Sequence, residues 1–189
     1  MKILDAHLIN LFGCNPATAQ SIAEKFTQAN IAKGEYFQRQ GAWCDKLGFI
    51  ASGIFREYIT IDGKDITKWI GISGYFITDI SAFMFGTQAR SSLQALTDCN
   101  MMIINRNDYL TLNQLIPEWD VIEKKFLVRC FATMEDRVVS FIALTAEERY
   151  QALFNAQPDL FNQIPLQYLA SMLGMTSETL SRIRRKLTP

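Results

Sequence analysis

The chain has 189 residues, of which 49% are hydrophobic and 20% charged, and its 19 basic residues balance its 19 acidic ones. This composition is typical of a globular protein, and because the net charge is zero, any affinity for nucleic acid must come from a local patch. No apolar run approaches the roughly 20 residues of a membrane-spanning helix, and the N-terminal segment carries Asp5 and no small-residue cleavage site, so we expect a cytoplasmic protein that does not contact membranes.

Histidine and cysteine, which most often bind metals or act in nucleophilic catalysis, are scarce. His7 is the only histidine, and Cys14, Cys44, Cys99 and Cys130 are scattered without a CxxC pair. Zinc or iron–sulfur ligation would need an unusual all-cysteine assembly, and His7 has no recognisable catalytic partner. We therefore expect buried reduced thiols, no metal and no enzymatic activity.

The N-terminal 30 residues predict two helices. Apolar residues recur at helical spacing from Met1 to Phe12 and again from Ile22 to Phe26, which favours two amphipathic segments. Asn15-Pro16 separates them, because a residue that precedes proline is disfavoured in a helix. Thr18 is then available to cap or open the second helix.

The region Lys33–Ile104 predicts a set of short strands. It has no proline, holds most of the glycines, and is rich in β-branched and aromatic residues. The clearest hairpin joins Ile54–Ile61 to Ile66–Ile72 through Asp62-Gly63, which supplies the positive φ of a tight turn. Many short strands with regular turns predict a barrel or a jelly roll.

A long helix is predicted after Pro117, since neither proline nor glycine interrupts the chain from Glu118 through Ile142. Residues at intervals of about 3.5 form a largely apolar row along it: Trp119, Ile122, Phe126, Cys130, Thr133 or Met134, Arg137, Val138, Phe141 and Ile142. About seven turns is too long for the flank of one small barrel, so the row predicts a dimer contact. The alternative is that part of the helix lies across its own barrel.

The stretch Ile164–Leu187 predicts two short helices joined by a tight turn. Thr145 and Glu148 first offer a capping box for a helix over Ala146–Asn155, and Pro158 opens the connection that follows. Pro165 fits the first turn of the next helix, which Gly174 then ends. The apolar stripes that make the two helices face each other are Leu166, Leu169, Met172 and Leu173 on the first, and Leu180, Ile183 and Leu187 on the second.

The outer face of the second helix carries its polar residues. Glu178, Ser181, Arg182 and Arg185 recur at i, i+3, i+4 and i+7, and the segment from Leu166 onward has a local net charge of +3. Arginine pairs with guanine edges and phosphates, and carboxylates and hydroxyls also read base edges. The helix-turn-helix geometry with this face favours DNA binding over the alternative, an ordinary α-hairpin with a solvated charged face.

This order of barrel, long helix and helix pair resembles the Crp/Fnr family of bacterial transcription regulators over nearly the whole chain. In the N-terminal half, the resemblance rests on Lys33-Gly34-Glu35, Gly41, residues 45–53 (DKLGFIASG) and Gly74-Tyr75-Phe76-Ile77. In the C-terminal half, it rests on the more specific set Glu147-Glu148-Arg149-Tyr150, residues 164–176 and residues 178–182 (ETLSR). The resemblance implies an α+β protein with a cyclic-nucleotide-binding-like sensor barrel (1–116), a dimerisation helix (117–143) and a helix-turn-helix domain (144–189).

The resemblance also implies partners and contact residues. The family binds double-stranded DNA as a homodimer, and its base-reading triplet falls on Glu178, Ser181 and Arg182, which implies a TTGA-like half-site in an inverted repeat. We predict a recognition helix over 176–187 whose DNA contacts are Thr176, Ser177, Glu178, Ser181, Arg182 and Arg185. RNA polymerase and a small-molecule effector are further candidate partners. The sequence ends at Pro189, where longer relatives continue into a wing.

A ligand site in the barrel is less clearly indicated. Cyclic-nucleotide binders of this family hold the cyclic phosphate with an Arg-Ser pair and the ribose with a Gly-Glu pair. Arg90 and Ser91 match the first pair, whereas Thr78 and Asp79 stand in the positions of the second. A different small ligand, a partner or no ligand at all is therefore favoured over a cyclic nucleotide, with Thr78, Asp79, Arg90 and Ser91 as the candidate site.

A different class of function also stays open. The C-terminal helices could pack against a protein partner, which would make the chain a ligand-binding or protein-interaction module. Salt dependence distinguishes the two, because DNA binding through several phosphates weakens steeply as salt rises and a packed protein interface changes little.

Overall fold

The computed structural model describes residues 2–187, in which two short helices precede the first strand. α1 is Lys2–Phe12 and α2 is Pro16–Ala23. Asn15 caps α2 by accepting a hydrogen bond from the Thr18 N–H at 2.9 Å, so the prediction that Thr18 caps or opens this helix is wrong. Residues 27–31 form a strand rather than continuing the predicted helix. Met1, where helical periodicity was predicted to begin, lies outside the described residues.

The predicted β-rich region forms two four-stranded antiparallel sheets that enclose a jelly-roll-like barrel. The strands are β1 Thr27–Ile31, β2 Tyr36–Gln38, β3 Lys46–Ser52, β4 Phe55–Ile61, β5 Lys64–Gly71, β6 Phe76–Ile77, β7 Ser92–Ala95 and β8 Cys99–Asn105. One sheet has the order β1-β8-β3-β6 and the other β2-β7-β4-β5. Phe37, Ile50, Phe55, Leu93 and Met101 fill the space between them, which confirms the predicted barrel.

The predicted hairpin is present as β4 and β5. Phe55 pairs with Gly71 and Ile61 with Lys64, so the turn consists of Asp62 and Gly63 alone. Asp62 has φ 51° and Gly63 has φ 74°, the left-handed conformation that a two-residue hairpin turn requires at both positions. The sequence therefore identified both the strands and the type of turn.

A short helix interrupts the strands where none was predicted. α3 is Ile80–Phe85, and the Asp79 side chain caps its start by accepting from the Ala82 N–H at 3.3 Å. Gly86 ends it with φ 64°. An N-cap aspartate and a C-terminal glycine bracket this segment in the sequence, so the signal for the helix was present although its apolar residues also fit a strand.

Two further helices pack under the barrel. α4 is Arg106–Leu115 and α5 is Trp119–Ala143, the long helix predicted from the sequence. The N-terminal end of α5 closes a second core, in which residues from α1, α2 and α3 also take part. The largest of its buried side chains are Leu4, Leu8, Phe12, Ile22, Phe49, Phe83, Ile104, Tyr109, Leu112, Trp119 and Ile122.

The row predicted as a dimer contact on α5 faces the chain itself over much of its length. Trp119 and Ile122 are buried in the core under the barrel, and Phe126 packs partly against it. Arg137 donates a hydrogen bond to the Met172 carbonyl in the C-terminal part of the chain at 2.8 Å. Part of the row therefore packs against its own chain, as the alternative predicted, whereas Met134, Val138 and Ile142 are exposed, and the dimer contact stays a prediction.

A second apolar row on α5, which shares Val138 and Ile142 with the predicted one, faces solvent. Its members follow a seven-residue repeat with alternating steps of three and four, and lie on the side of the helix opposite Thr133. They are Val121, Val128, Phe131, Val138 and Ile142, all between 53% and 81% exposed. Lys124 and Glu135 occupy the intervening positions of the repeat. This exposed row is the candidate dimer contact on α5.

Four helices follow α5. They are α6 Ala146–Ala156, α7 Leu160–Gln163, α8 Leu166–Met172 and α9 Ser177–Leu187, of which α7 was not predicted. The predicted capping box at the start of α6 is confirmed: Thr145 Oγ1 accepts from the Glu148 N–H at 3.3 Å, and Glu148 Oε2 accepts from the Thr145 N–H at 2.7 Å. The hydrophobic core of these helices contains Tyr150, Leu160, Phe161, Ile164, Leu169, Leu173, Leu180 and Ile183.

That C-terminal core continues into the barrel, since Ile54 and Ile70 are buried with it. The β4–β5 sheet therefore supports α8 from one side. The predicted boundaries at 116/117 and 143/144 fall next to the limits of α4, α5 and α6, and remain predictions; residues 188 and 189 of the third predicted domain lie outside the described residues. Among the helices within residues 2–187, none combines the length and apolar character needed to cross a membrane.

Candidate functional site

The turn between α8 and α9 is tight, and only glycine fits its central position. Gly174 has φ 68° and donates its N–H to the Ser171 carbonyl at 3.1 Å, while the Met175 N–H reaches the Ala170 carbonyl at 2.9 Å. A Cβ at Gly174 would lie 2.6 Å from the Phe141 ring of α5. The turn is thus packed directly against the end of the long helix.

The sequence after this turn fixes the direction of α9. Thr176 Oγ1 accepts a hydrogen bond from the Thr179 N–H at 3.1 Å, as predicted for an N-cap. Leu180 and Ile183 are buried against α8, where Ala170 is small enough to let the helices approach closely. Leu187, the third predicted member of this stripe, is 37% exposed.

The structure brings the predicted DNA-contacting side chains to one surface. Thr176, Ser177, Glu178, Arg182 and Arg185 are exposed, and Ser181 is half-buried. Within residues 2–187, no carboxylate forms a salt bridge with Arg182 or Arg185. Their guanidinium groups are therefore available to an acidic ligand.

Lys186, at the end of α9, is engaged differently. Its Nζ forms a salt bridge with Glu147 Oε2 of α6 at 2.8 Å. This contact ties the C-terminal turn of α9 to the capped start of α6, and removes one positive charge from the outward face. The basic surface of α9 is thus narrower than the local charge of the sequence indicated.

Contacts with the barrel hold α8 from the other side. The Thr67 N–H of β5 donates to Ser171 Oγ at 2.9 Å, so α8 satisfies a backbone donor of an edge strand. The buried Arg56 guanidinium lies between the rings of Tyr58 and Tyr168, 4.2 and 4.0 Å from their centroids. The two contacts with α8 join residues more than 100 positions apart, and no local pattern in the sequence indicated them.

Two arginines cap the C-terminal end of α8. Arg137 of α5 donates to the Met172 carbonyl at 2.8 Å, and Arg149 of α6 donates to the Leu173 carbonyl at 3.0 Å. Carbonyls at a helix end lack partners within the helix, and positive charge there is favourable. Burial lowers the pKa of Arg137, which the nearby Glu57 only partly offsets. The placement of Arg137 within an apolar row was the sequence signal for this role.

In the barrel, Asp79 and Arg90 contact each other directly. Asp79 is buried, and its carboxylate accepts from the Arg90 N–H at 2.7 Å, Arg90 Nε at 3.4 Å and Arg90 Nη2 at 3.2 Å. Burial by itself would raise the pKa of Asp79, but the hydrogen bonds from Arg90 and from the Ala82 N–H outweigh it and lower the pKa. The same pairing raises the pKa of Arg90.

The two remaining candidate ligand residues also have internal partners. Ser91 is fully buried and donates its hydroxyl to Glu57 Oε1 at 2.7 Å, and Glu57 in turn pairs with Lys68. Thr78 donates its hydroxyl to the Lys46 carbonyl at 2.8 Å. Sequence reasoning missed Glu57 as a partner of Ser91, because the contact joins β4 to a residue 34 positions further along the chain.

The cysteines do not form a reactive or metal-binding group in the described part of the chain. Cys14, Cys44 and Cys99 are buried and Cys130 is half-buried, and all four are free. Burial raises the pKa of each thiol, which lowers its reactivity. Among residues 2–187, no three His, Cys, Asp or Glu side chains converge as metal ligands would.

Comparison with known proteins shows a similarity between the barrel and one described domain family. Residues 28–114, from β1 to the end of α4, match the family model described as a cyclic nucleotide-binding domain. The helices from α5 onward lie outside this match. The search of curated proteins returned no match.

Solved structures extend the likeness to nearly the whole chain. The catabolite activator protein of Thermus thermophilus is 21% identical with a TM-score of 0.62, over 96% of this chain and 86% of that one. FixK2 of Bradyrhizobium japonicum is 17% identical with a TM-score of 0.70, over 86% and 84%. The c-di-GMP-responsive global regulator CLP of Xanthomonas campestris is 18% identical with a TM-score of 0.69, over 92% and 91%. At these identities the likeness establishes the fold, and function must be argued from the residues.

Proposed function

We propose that this chain is a DNA-binding transcription regulator of the Crp/Fnr type. The observation that carries the proposal is the outer face of α9, where Glu178, Ser181 and Arg182 project from a helix fixed by the Gly174 turn and the Thr176 cap. In this arrangement α8 is the supporting helix of a helix-turn-helix and α9 the recognition helix. The match of the barrel to a cyclic nucleotide-binding domain and the similarity of the fold to the activator of Thermus thermophilus and the regulator of Xanthomonas campestris support it.

The roles of the side chains follow from their chemistry. Arg182 would bind a guanine edge in the major groove, and Glu178 would accept a hydrogen bond from a cytosine amine. Arg185, one turn further along α9, would contact the phosphate backbone, as would Thr176 and Ser177 near the start of the helix. With these roles, the outer face of α9 would read the predicted TTGA-like half-site.

The regulator would act as a homodimer through the exposed row on α5. Val128, Phe131 and Val138 lie at core positions of a seven-residue repeat, with Glu135 between the last two, and are exposed in the single chain. A two-fold dimer would present two copies of α9 to half-sites about one helical turn apart, roughly 34 Å. RNA polymerase and an effector bound to the barrel are further proposed partners of the dimer, which we expect in the cytoplasm.

The proposal is tested by selecting genomic fragments that bind the purified full-length protein. We expect enrichment of an inverted repeat with half-sites one helical turn apart, and affinity for it that falls steeply as salt rises. Loss of that enrichment in Arg182→Ala, with folding retained, would link it to α9. Failure of the protein to retain any duplex at low ionic strength would favour a protein-interaction module instead.

A further inference from the structure

The name of the family model that matches the barrel implies a cyclic nucleotide, and the residues can be tested for their fit to it. A cyclic phosphate needs free N–H and O–H donors, and its ribose needs an acceptor for its hydroxyl group. The corresponding positions in this chain are Arg90 and Ser91 for the phosphate and Thr78 and Asp79 for the ribose. Each of these four side chains already forms a hydrogen bond within the chain.

The donors of Arg90 converge on a carboxylate of the same chain. Asp79 accepts from the backbone N–H, Nε and Nη2 of Arg90 and from the Ala82 N–H, at distances between 2.7 and 3.4 Å. Both carboxylate oxygens are thereby engaged, by donors of the kind that bind an anionic phosphate oxygen. Asp79 is 3% exposed, which leaves it no free face toward a ligand.

The hydroxyl of the neighbouring Ser91 is likewise hydrogen-bonded within the chain. Its hydroxyl donates to Glu57 Oε1 at 2.7 Å, and Glu57 is also held by Lys68. An incoming phosphate would meet the negative charges of Glu57 and Asp79, since both lie against the residues that would have to bind it. Negative charges next to a phosphate oppose its binding. The two carboxylates would therefore repel the phosphate in addition to occupying its hydrogen-bond donors.

The residues on the ribose side also have partners within the chain. Thr78 lies where cyclic-nucleotide binders of the family that this sequence resembles carry glycine. Its hydroxyl donates to the Lys46 carbonyl at 2.8 Å. Asp79 lies where they carry glutamate, and it is turned toward Arg90. The residues present therefore do not fit a cyclic nucleotide.

We infer that Asp79 is a built-in substitute for the phosphate of a ligand, and that the barrel of this chain does not bind cyclic nucleotides. The Arg90–Asp79 and Ser91–Glu57 contacts occupy, from within the chain, groups that would otherwise bind the phosphate. This inference concerns the barrel alone and stands whether or not α9 binds DNA. It also directs the search for an effector away from nucleotides that carry a cyclic phosphate.

The experiment measures the melting temperature of full-length protein with increasing cyclic AMP, cyclic GMP or inorganic phosphate, up to millimolar concentration. Asp79→Asn keeps a side chain able to cap α3 and removes the negative charge, and Asp79→Ala removes both. The matched control is Asp79→Asn combined with Arg90→Ala. For the wild type, we expect a melting temperature independent of all three ligands, checked by calorimetry.

For Asp79→Asn, we expect a lower melting temperature that phosphate or the cyclic nucleotides raise in a saturable way, and no such rise in the double variant. Asp79→Ala should behave in the same way if it folds. Saturable binding of a cyclic nucleotide to the wild type, lost in Arg90→Ala, would overturn the inference, because Asp79 would then yield to the ligand. Absence of any anion-dependent rise in a folded Asp79→Asn would overturn the substitute role of Asp79.

Discussion

The outer face of α9 and the Asp79–Arg90 cluster of the barrel are built from the same kinds of side chain, an acid, a serine and an arginine. In α9, Glu178 and Arg182 are exposed and form no salt bridge within residues 2–187. In the barrel, Asp79 is buried and paired with Arg90, and Ser91 is fully buried against Glu57. The two regions therefore differ in the availability of their polar groups, not in their composition.

This difference shows what a binding site needs beyond the right residue types. A guanidinium that faces water exchanges its hydrogen bonds for those of a phosphate or a base at little net cost. A guanidinium that already binds a carboxylate must first give up charge-assisted hydrogen bonds, each contributing about 1.5–3 kcal/mol. On this reasoning the polar groups of α9 are available to a ligand, whereas those of the Asp79–Arg90 cluster are engaged in contacts within the chain.

The largest expected effect is on DNA affinity, from disrupting the proposed dimer. The monomer would keep an intact α9 surface but would present only one copy of it to DNA. Replacing both Phe131 and Val138 with Glu places like charges on either side of Glu135, at core positions of the exposed row on α5. We expect a monomer whose affinity for an inverted repeat falls by about 100-fold or more, because the second half-site no longer adds to the first. Sedimentation and DNA titration measure the two changes.

Thr133→Glu is the matched control for this double variant, since Thr133 is exposed on the opposite side of the same helix. It should leave both the dimer and the affinity for DNA unchanged. A double variant that stays dimeric and binds the repeat normally would show that the dimer contact lies elsewhere.

The next effect in size separates base reading from phosphate contact on α9. Arg182→Ala should weaken binding to the matched duplex by about 1–3 kcal/mol and relax the preference at one base pair. Arg185→Ala should weaken binding to all duplexes alike and reduce the salt dependence by about one phosphate contact. Titration of matched and single-mismatch duplexes at several salt concentrations distinguishes them, and equal losses on every duplex for Arg182→Ala would contradict base reading.

The parts of the fold that follow from local rules were predicted from the sequence. The Asp62-Gly63 hairpin, the Thr145–Glu148 capping box and the turn at Gly174 each depend on residues a few positions apart. Backbone conformation and capping chemistry specify such features almost without reference to the rest of the chain. The outward placement of Arg182 followed from the same helical geometry.

The features that sequence reasoning missed depend on contacts between distant segments. Periodicity showed that α5 has apolar residues, but it could not show that Trp119 and Ile122 pack into the core while Phe131 and Val138 face solvent. Nor does any local pattern place Glu57 against Ser91. Tertiary packing decides whether a polar side chain is free or already hydrogen-bonded. The contacts of the Asp79–Arg90 cluster could therefore not be predicted from the sequence, whereas the outward placement of the α9 residues could.

A smaller effect is expected on the free energy of unfolding, whose pH dependence tests the Asp79–Arg90 pair of the barrel. Because Arg90 lowers the pKa of Asp79 in the folded protein, the pairing stabilises the fold above the ordinary value of 3.8 and is lost as pH falls through the lowered pKa. Asp79→Asn should reduce the free energy of unfolding at neutral pH by about 1–2 kcal/mol, modest because Arg90 is largely exposed. The stabilities of the two proteins should begin to converge as pH falls below 3.8 and should meet below the lowered pKa of Asp79.

Urea unfolding of both proteins at a series of pH values measures this difference. A gap between them that is constant over the whole range would contradict an ionised pairing as its cause, since a purely steric defect does not titrate. Arg90→Ala provides the control, because it removes the cationic partner and should show the same convergence at acid pH.

The smallest effect concerns the link between the two regions, where Arg56 of the barrel lies between Tyr58 and Tyr168. Tyr168→Leu keeps an apolar side chain on α8 but removes the aromatic face, and should lower the free energy of unfolding by about 0.5–1 kcal/mol. The Thr67 amide should exchange faster with solvent, because its acceptor Ser171 lies on the same helix. Ser171→Ala should speed that exchange without disturbing the Arg56 stack. If the Thr67 amide exchanges at its original rate in both variants, the barrel does not hold α8 in solution, and the recognition surface is positioned by α5 and α6 alone.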